Sequence, residues 1–146
     1  MFRKVALVAL AVCALGCGNR TEMPLYGNWE GRFEPDRATD LDMKGYLQLY
    51  ATNHKFKMHV GGRNQTFDPT GVWRLQGRQI VLDIQDMQIS GLTAQEAEER
   101  KALYIDPKVV RGAFGKSLVL NLSADQTQLR GITLTIGSTQ GHFSFS

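Results

Sequence analysis

From residue 25 to the end of the chain, apolar residues recur at every second position in short runs, and this alternation constrains the fold more than any other feature. Trp29 and Phe33 share a parity with Gly31, Leu47 and Leu49 alternate with Tyr46, Gln48 and Tyr50, and Phe56, Met58 and Val60 alternate with Lys55, Lys57 and His59. Further runs are Trp73 and Leu75; Ile80, Leu82 and Ile84; Leu118, Leu120 and Leu122; Ile132, Leu134 and Ile136; and Phe143 and Phe145. A period of two sends alternate side chains to opposite faces of a strand, so each run predicts a strand with one buried and one wet face. The separators at 51–54, 61–65, 76–77, 123–126 and 137–141 are short and rich in Gly, Asn, Asp and Ser, which is turn chemistry. Connections this short join antiparallel neighbours, and closing the sheet removes its exposed edges. The expected fold is all-β: an antiparallel meander of about eight strands closed into a small barrel, a single domain over residues 25–146.

One segment departs from the alternation. In 92–103, Thr93 stands as an N-cap, Glu96 follows three residues later to complete a capping box, and Glu96 and Arg100 are spaced i,i+4. That pattern predicts one short helix over 93–103, with only Ala94, Ala97 and Leu103 as an apolar face. It lies in the longest connection of the domain, 91–116, which reads either as a binding element or as a plain crossover.

The first sixteen residues are of another kind. Two positive charges, Arg3 and Lys4, precede an apolar run from Val5 to Leu15 and then Gly16-Cys17. This is the layout of a secretory signal peptide over 1–16, and the run is too short for the ~20 apolar residues of a spanning helix. Removing it leaves 15 basic against 14 acidic residues from the 17 and 14 of the whole chain. The near-neutral remainder lacks the concentrated basic face of a nucleic-acid binder. Of the two cysteines, Cys13 lies inside the removed segment and only Cys17 remains. The folded part therefore has no thiol for redox, nucleophilic or metal-binding roles, and residues 17–24 form a polar tether.

Catalytic patterns are absent from the sequence. His54, His59 and His142 have no partner at metal-ligand spacing, and no G-x-S-x-G, H-E-x-x-H or phosphate-binding loop occurs. The acidic pairs Asp40 with Asp42 and Asp83 with Asp86 fall in loop or outward strand positions. No catalytic residue, metal ligand or cofactor is expected, and no ligand-binding residue is assigned. The inward positions are apolar or Gly, with no Lys or Arg at a strand centre to hold a buried charge. The interior is therefore either filled by Trp29, Trp73, the Phe rings and the aliphatics, or it holds a wholly apolar ligand. The basic residues Lys101, Lys108, Arg111 and Lys116 are interspersed with Glu96, Glu98, Glu99 and Asp106, the pattern of a mixed solvated surface.

Three resemblances add to this reading. The residues "ALGC" at 14–17 resemble a bacterial lipobox, which implies that Cys17 is diacylated and becomes the mature N-terminus. Gly18 after it, in place of Asp, implies the outer membrane where a cell has one. Cleavage by ordinary signal peptidase is the alternative, leaving a secreted protein. "YGNWEGRF" at 26–33 resembles the G-x-W opening of the calycin group, the lipocalins and their small bacterial relatives. There a basic side chain from a late strand packs over the Trp; Arg130 matches that position, unless Gly131 introduces a bulge that reverses it. The order "GNWEGRF", "YLQLYATNHKFKM", "TGVWRLQGRQIVLDI" is similar to lipocalin-like envelope lipoproteins, including the NlpE N-terminal type. The Cys-x-x-Cys of that type is missing, so metal or redox sensing is not carried over.

Together these readings imply a membrane-anchored bacterial envelope lipoprotein, not an enzyme, whose lipocalin-like domain binds an apolar small molecule or an envelope protein. The alternative implied by resemblance is a lipoprotein inhibitor of a lysozyme-like enzyme or a protease, presenting 61–68 or 91–116 to the enzyme's cleft.

Overall fold

The computed structural model describes residues 21–39 and 41–146. Cys17 and the signal segment lie outside the described residues, as does Asp40. Nine strands follow in chain order: β1 (Gly27–Pro35), β2 (Lys44–Leu49), β3 (Lys55–Gly61), β4 (Gln65–Gln76), β5 (Gln79–Gly91), β6 (Ser117–Leu122), β7 (Leu129–Gly131), β8 (Leu134–Ile136) and β9 (Thr139–Phe145). Every neighbouring pair is antiparallel, and β9 closes the sheet on β1 with Phe33 opposite Phe143. β7 and β8 pair with successive parts of the same edge of β9, through Leu129 opposite Phe145 and Leu134 opposite Gly141. They fill one place in the ring between them, and the molecule is a closed eight-position antiparallel barrel, as the alternation predicts.

The core follows the predicted parity closely. Trp29, Phe33, Leu47, Leu49, Phe56, Met58, Val60, Trp73, Ile80, Leu82, Leu118, Leu120, Phe143 and Phe145 are all buried. The β4–β5 register shifts between Thr70 and Gly71, which pair with Asp86 and Ile84 and leave Gln85 as a bulge. Beyond it the inward parity of β5 changes from Ile80 and Leu82 to the buried Met87, because an inserted residue reverses the faces. Gly45 is required where β2 meets β3, since a Cβ there would lie 1.6 Å from the His59 carbonyl oxygen.

The last predicted strand is corrected. Ile132 is 45% exposed, and the chain leaves the ladder between β7 and β8. The parity of β7 is also opposite to that expected: Leu129 is fully buried while Arg130 is exposed and faces Asn121 and Ser144 across its two neighbours. Arg130 is therefore not a core residue over Trp29. Arg130 shares the parity of Ile132 and Leu134, but the strand breaks between them, and the two residues outside the ladder remove the fixed alternation.

Two helices stand in the long connection where one was expected. Helix α1 (Ala94–Arg100) carries the predicted capping box, with the Thr93 side chain accepting from the Glu96 amide and Glu96 accepting from the Thr93 amide. It ends at Lys101 in the left-handed conformation, short of Leu103. The second, α2 (Pro107–Phe114), starts on an Asp106 cap with Pro at its first position, a start signal that the β-pattern of the neighbouring sequence obscured. Its Val110 and Phe114 are buried in the core, and the Phe114 ring meets Phe143 edge-on at 5.5 Å.

Candidate functional site

The meander gives the barrel two unlike ends. At one lie the chain entry at Thr21, the loop 50–54, the β4–β5 turn and the β6–β7 turn; at the other lie 36–43, the β3–β4 turn, both helices and the β8–β9 turn.

The entry end is plugged. A short 3-10 turn, Met23–Leu25, places Leu25 fully inside the core. The indole Nε1 of Trp29 donates to the Leu25 carbonyl oxygen at 3.0 Å, and that of Trp73 to the Tyr50 carbonyl oxygen at 3.0 Å. Glu22 is 9% exposed, and its carboxylate accepts from the Tyr26 hydroxyl at 3.2 Å and lies 2.7 Å from His54 Nε2. Burial, and after it the Glu22 carboxylate, pushes the Tyr26 phenol above its ordinary range. The rings of His54 and Tyr26 in turn cover Trp73 at 4.9 and 5.9 Å. Glu22 to Pro24, expected to lie in the tether, belong to the folded unit instead; residues 17–20 lie outside the described residues.

The barrel between the ends is filled. Leu47, Met58, Val60, Ile80, Leu82 and Leu129 have no accessible surface, so no space that admits water touches them. Phe33, Phe143 and Phe145 pack beside them with ring centroids 5.3 and 6.1 Å apart. Of the two interiors the sequence left open, the packed one is observed, and no room for an internal ligand adjoins these residues.

The opposite end carries an open cleft of about 700 Å³, within the range of small-molecule sites. Its floor is the buried Leu41, Met43 and Phe67, and its far wall is the segment 101–105 that links α1 to α2. That wall is held by amide side chains at the start of β4. Gln65, 6% exposed, donates from Nε2 to the Ile105 carbonyl oxygen at 2.8 Å and accepts the Ile105 amide on Oε1 at 2.8 Å. Asn64 donates to the Leu103 carbonyl oxygen at 2.9 Å, and its own carbonyl oxygen accepts from the Leu92 amide at 2.7 Å. An amide that both donates to the carbonyl and accepts from the N–H of one residue fixes that residue's distance and orientation together. Among the described residues, Lys44, Arg63 and Lys101 stand on the rim with one carboxylate, Asp42, and Leu103 exposes 51% of its surface there.

Sequence reading placed 61–65 in a turn and gave 61–68 a role only in the inhibitor alternative, with no contact to 91–116 foreseen. The available signal was Gln65, a long amide two residues before Phe67 and therefore on an inward parity, where an unpaired polar group is costly. Of the basic residues noted between 101 and 116, only Lys101 lines the cleft, while Arg111 donates to the Met87 carbonyl oxygen at 3.4 Å.

Each histidine has a carboxylate partner. Besides His54 with Glu22, His59 Nδ1 lies 2.5 Å from Asp68 with Tyr46 stacked on its ring, and His142 Nε2 lies 3.2 Å from Glu34. The last two pairs sit on the outer faces of the strands. Among the described residues, no group of three or more His, Cys, Asp or Glu is placed to hold a metal ion, and no helix is long and apolar enough to cross a membrane.

No protein-family profile matches the chain, and no curated protein matches it. Among solved structures it is similar to the crystal structure of Rv2717c from M. tuberculosis, with 14% identity and a TM-score of 0.42 over 86% of this chain and 92% of that one. A likeness that distant assigns no role, and the fold assignment rests on the closed ladder of strands.

Proposed function

We propose that the chain is a non-enzymatic binding module of a bacterial envelope, anchored by lipid on Cys17 and engaging its ligand or partner in the cleft, not in the barrel's interior. The observation that carries this reading is the contrast between the filled interior and the open cleft, with its apolar floor and its wall fixed by Asn64 and Gln65. The cleft lies at the end opposite the chain entry, so an anchor on Cys17 would attach at the end of the barrel remote from it. An outer-membrane destination follows from Gly18 in the same reading.

Two experiments test the two halves. Cys17→Ser is expected to release the protein from a salt-washed membrane fraction, and unchanged retention would sink the anchor. Solvent extraction of the native protein followed by mass spectrometry is expected to yield a bound small molecule that is lost in Leu103→Asp, whose new charge lies in the cleft. Extraction of the same molecule from both forms would place it elsewhere.

A second reading, an inhibitor of a lysozyme-like enzyme or a protease, is favoured by one observation. The segments 61–68 and 91–116 are brought to the same end of the barrel and tied together by Asn64 and Gln65, the pre-formed edge that insertion into an enzyme's cleft needs. Tight inhibition of such an enzyme, with nothing extracted by solvent, would favour it over the first.

A further inference from the structure

We propose that the cleft takes a single-chain anionic amphiphile, its carboxylate or phosphate head between Arg63 and Lys101 and its tail over Leu103. The inference rests on the cleft being the binding site and adds the chemistry of what it binds.

Charge and apolar surface are separated within the cleft. Among the described residues lining it there are three cations, Lys44, Arg63 and Lys101, and one carboxylate, Asp42. Asp42 is already associated with Lys44, at 3.9 Å, and both side chains are largely exposed. Among the described residues, neither Arg63 nor Lys101 has a carboxylate partner or a side-chain hydrogen bond, so both present their charge to solvent at the rim. Lys101 is held there by the end of α1, where its left-handed backbone ends the helix and its amide bonds back to the Glu98 carbonyl oxygen at 3.2 Å. Arg63 is held by the tight β3–β4 turn, closed by the Gly62 amide on the Gln65 carbonyl oxygen at 3.0 Å.

Leu103, two residues beyond Lys101, is among the most exposed large apolar side chains of the domain. The half-buried Ile105 and the buried Phe67 continue its apolar surface toward the barrel. A neutral apolar molecule would leave the cations solvated and gain nothing from them, and a small inorganic anion would leave Leu103 in water. A molecule with an anionic head and one alkyl chain uses both, because charge attraction and apolar burial then act on different atoms of one ligand.

The test uses 15N-labelled protein as processed by the cell, in phosphatidylcholine discs, titrated with octyl phosphate, octanoate, octyl glucoside and inorganic phosphate. Octyl phosphate or octanoate is expected to shift the Gly62, Lys101 and Leu103 amides saturably, and the response of each separates a phosphate from a carboxylate head. Octyl glucoside and inorganic phosphate are expected to bind at least about tenfold more weakly, and the exposed double substitution R63Q/K101Q to remove the preference for the charged head. Equal binding of octyl glucoside overturns the charged-head inference and leaves the cleft as a binding site, and equal binding of inorganic phosphate overturns the role of the tail. If no probe moves these amides, the inference fails, and the small-molecule reading of the cleft fails with it.

Discussion

The role given to Gln65 can be tested by replacing it with Met, which keeps its length and unbranched shape but has neither a donor nor a carbonyl acceptor. The substitution removes both hydrogen bonds to Ile105, each 2.8 Å long, and leaves a backbone N–H and C=O without partners. A hydrogen bond contributes about 1 kcal/mol net, and a buried group left unsatisfied costs about 1–3 kcal/mol. Ile105 is only half-buried, so water recovers part of that loss, and about 2–3 kcal/mol is expected for the pair of bonds. The barrel ladders do not run through this contact, so the loss should appear as local opening of the 101–106 wall and not as unfolding of the sheet.

Amide hydrogen exchange reads this directly. Opening easier by about 2–3 kcal/mol makes exchange at Ile105 roughly 30- to 150-fold faster, while strand amides such as those of Leu47 and Met58 keep their protection. Asn64→Ala removes one exposed bond to Leu103 and should give less than half the effect in free energy. If Ile105 in Gln65→Met exchanges less than about threefold faster than in the parent, the wall is held by other contacts and the argument from Gln65 is wrong.

Three further outcomes follow from the fold. Gly45→Ala should cost at least ~3 kcal/mol in urea unfolding, because its Cβ would meet the His59 backbone oxygen and force β2 from β3; a normal midpoint would show that the ladder yields there. Trp29→Ala should cost about 3–5 kcal/mol and free the Leu25 turn of its indole hydrogen bond, so normal stability would remove Trp29 from the core. The Thr93 amide and then its hydroxyl hold the Glu96 carboxyl below its ordinary range, so its contribution to α1 is present above the unfolded pKa and is lost as pH falls through the folded one. An NMR titration of the Glu96 side chain should therefore have a midpoint below that of a free glutamate, and an ordinary midpoint would mean that the capping box does not form.

Alternation in the sequence reported the barrel well because each face of a strand meets one environment. Trp29, Leu47, Met58, Trp73, Leu82 and Phe143 sit where their parity puts them. The reading went astray where the ladder itself is interrupted. The break after Gly131 puts Leu129 inside and Arg130 outside, and beyond Ile84, where no run was read, Gln85 bulges and turns Met87 inward. The candidate site was less legible for a different reason. Gln65 and Ile105 are forty residues apart, and their contact depends on where the barrel sets β4 against the α1–α2 connection. No local period records such a meeting, and a polar turn beside a capped helix reads the same whether or not the two touch.

The two ends of the barrel also differ in how their polar groups are used. At the entry end, Glu22 is shared between His54 and Tyr26, and both indoles donate to backbone carbonyls, so polar capacity is consumed within the fold. At the cleft end the wall is fixed by the neutral amides of Asn64 and Gln65, and among the described residues the charged groups of Arg63 and Lys101 take no part in holding it. Had ion pairs pinned the wall, an incoming anion would have to break them, and its binding would loosen the surface it binds to. Because uncharged groups hold the wall, the cations can meet a ligand without destabilising their own support. Neutralising Arg63 and Lys101 should then weaken binding and leave Ile105 exchange unchanged, whereas Gln65→Met should open the wall with both charges in place.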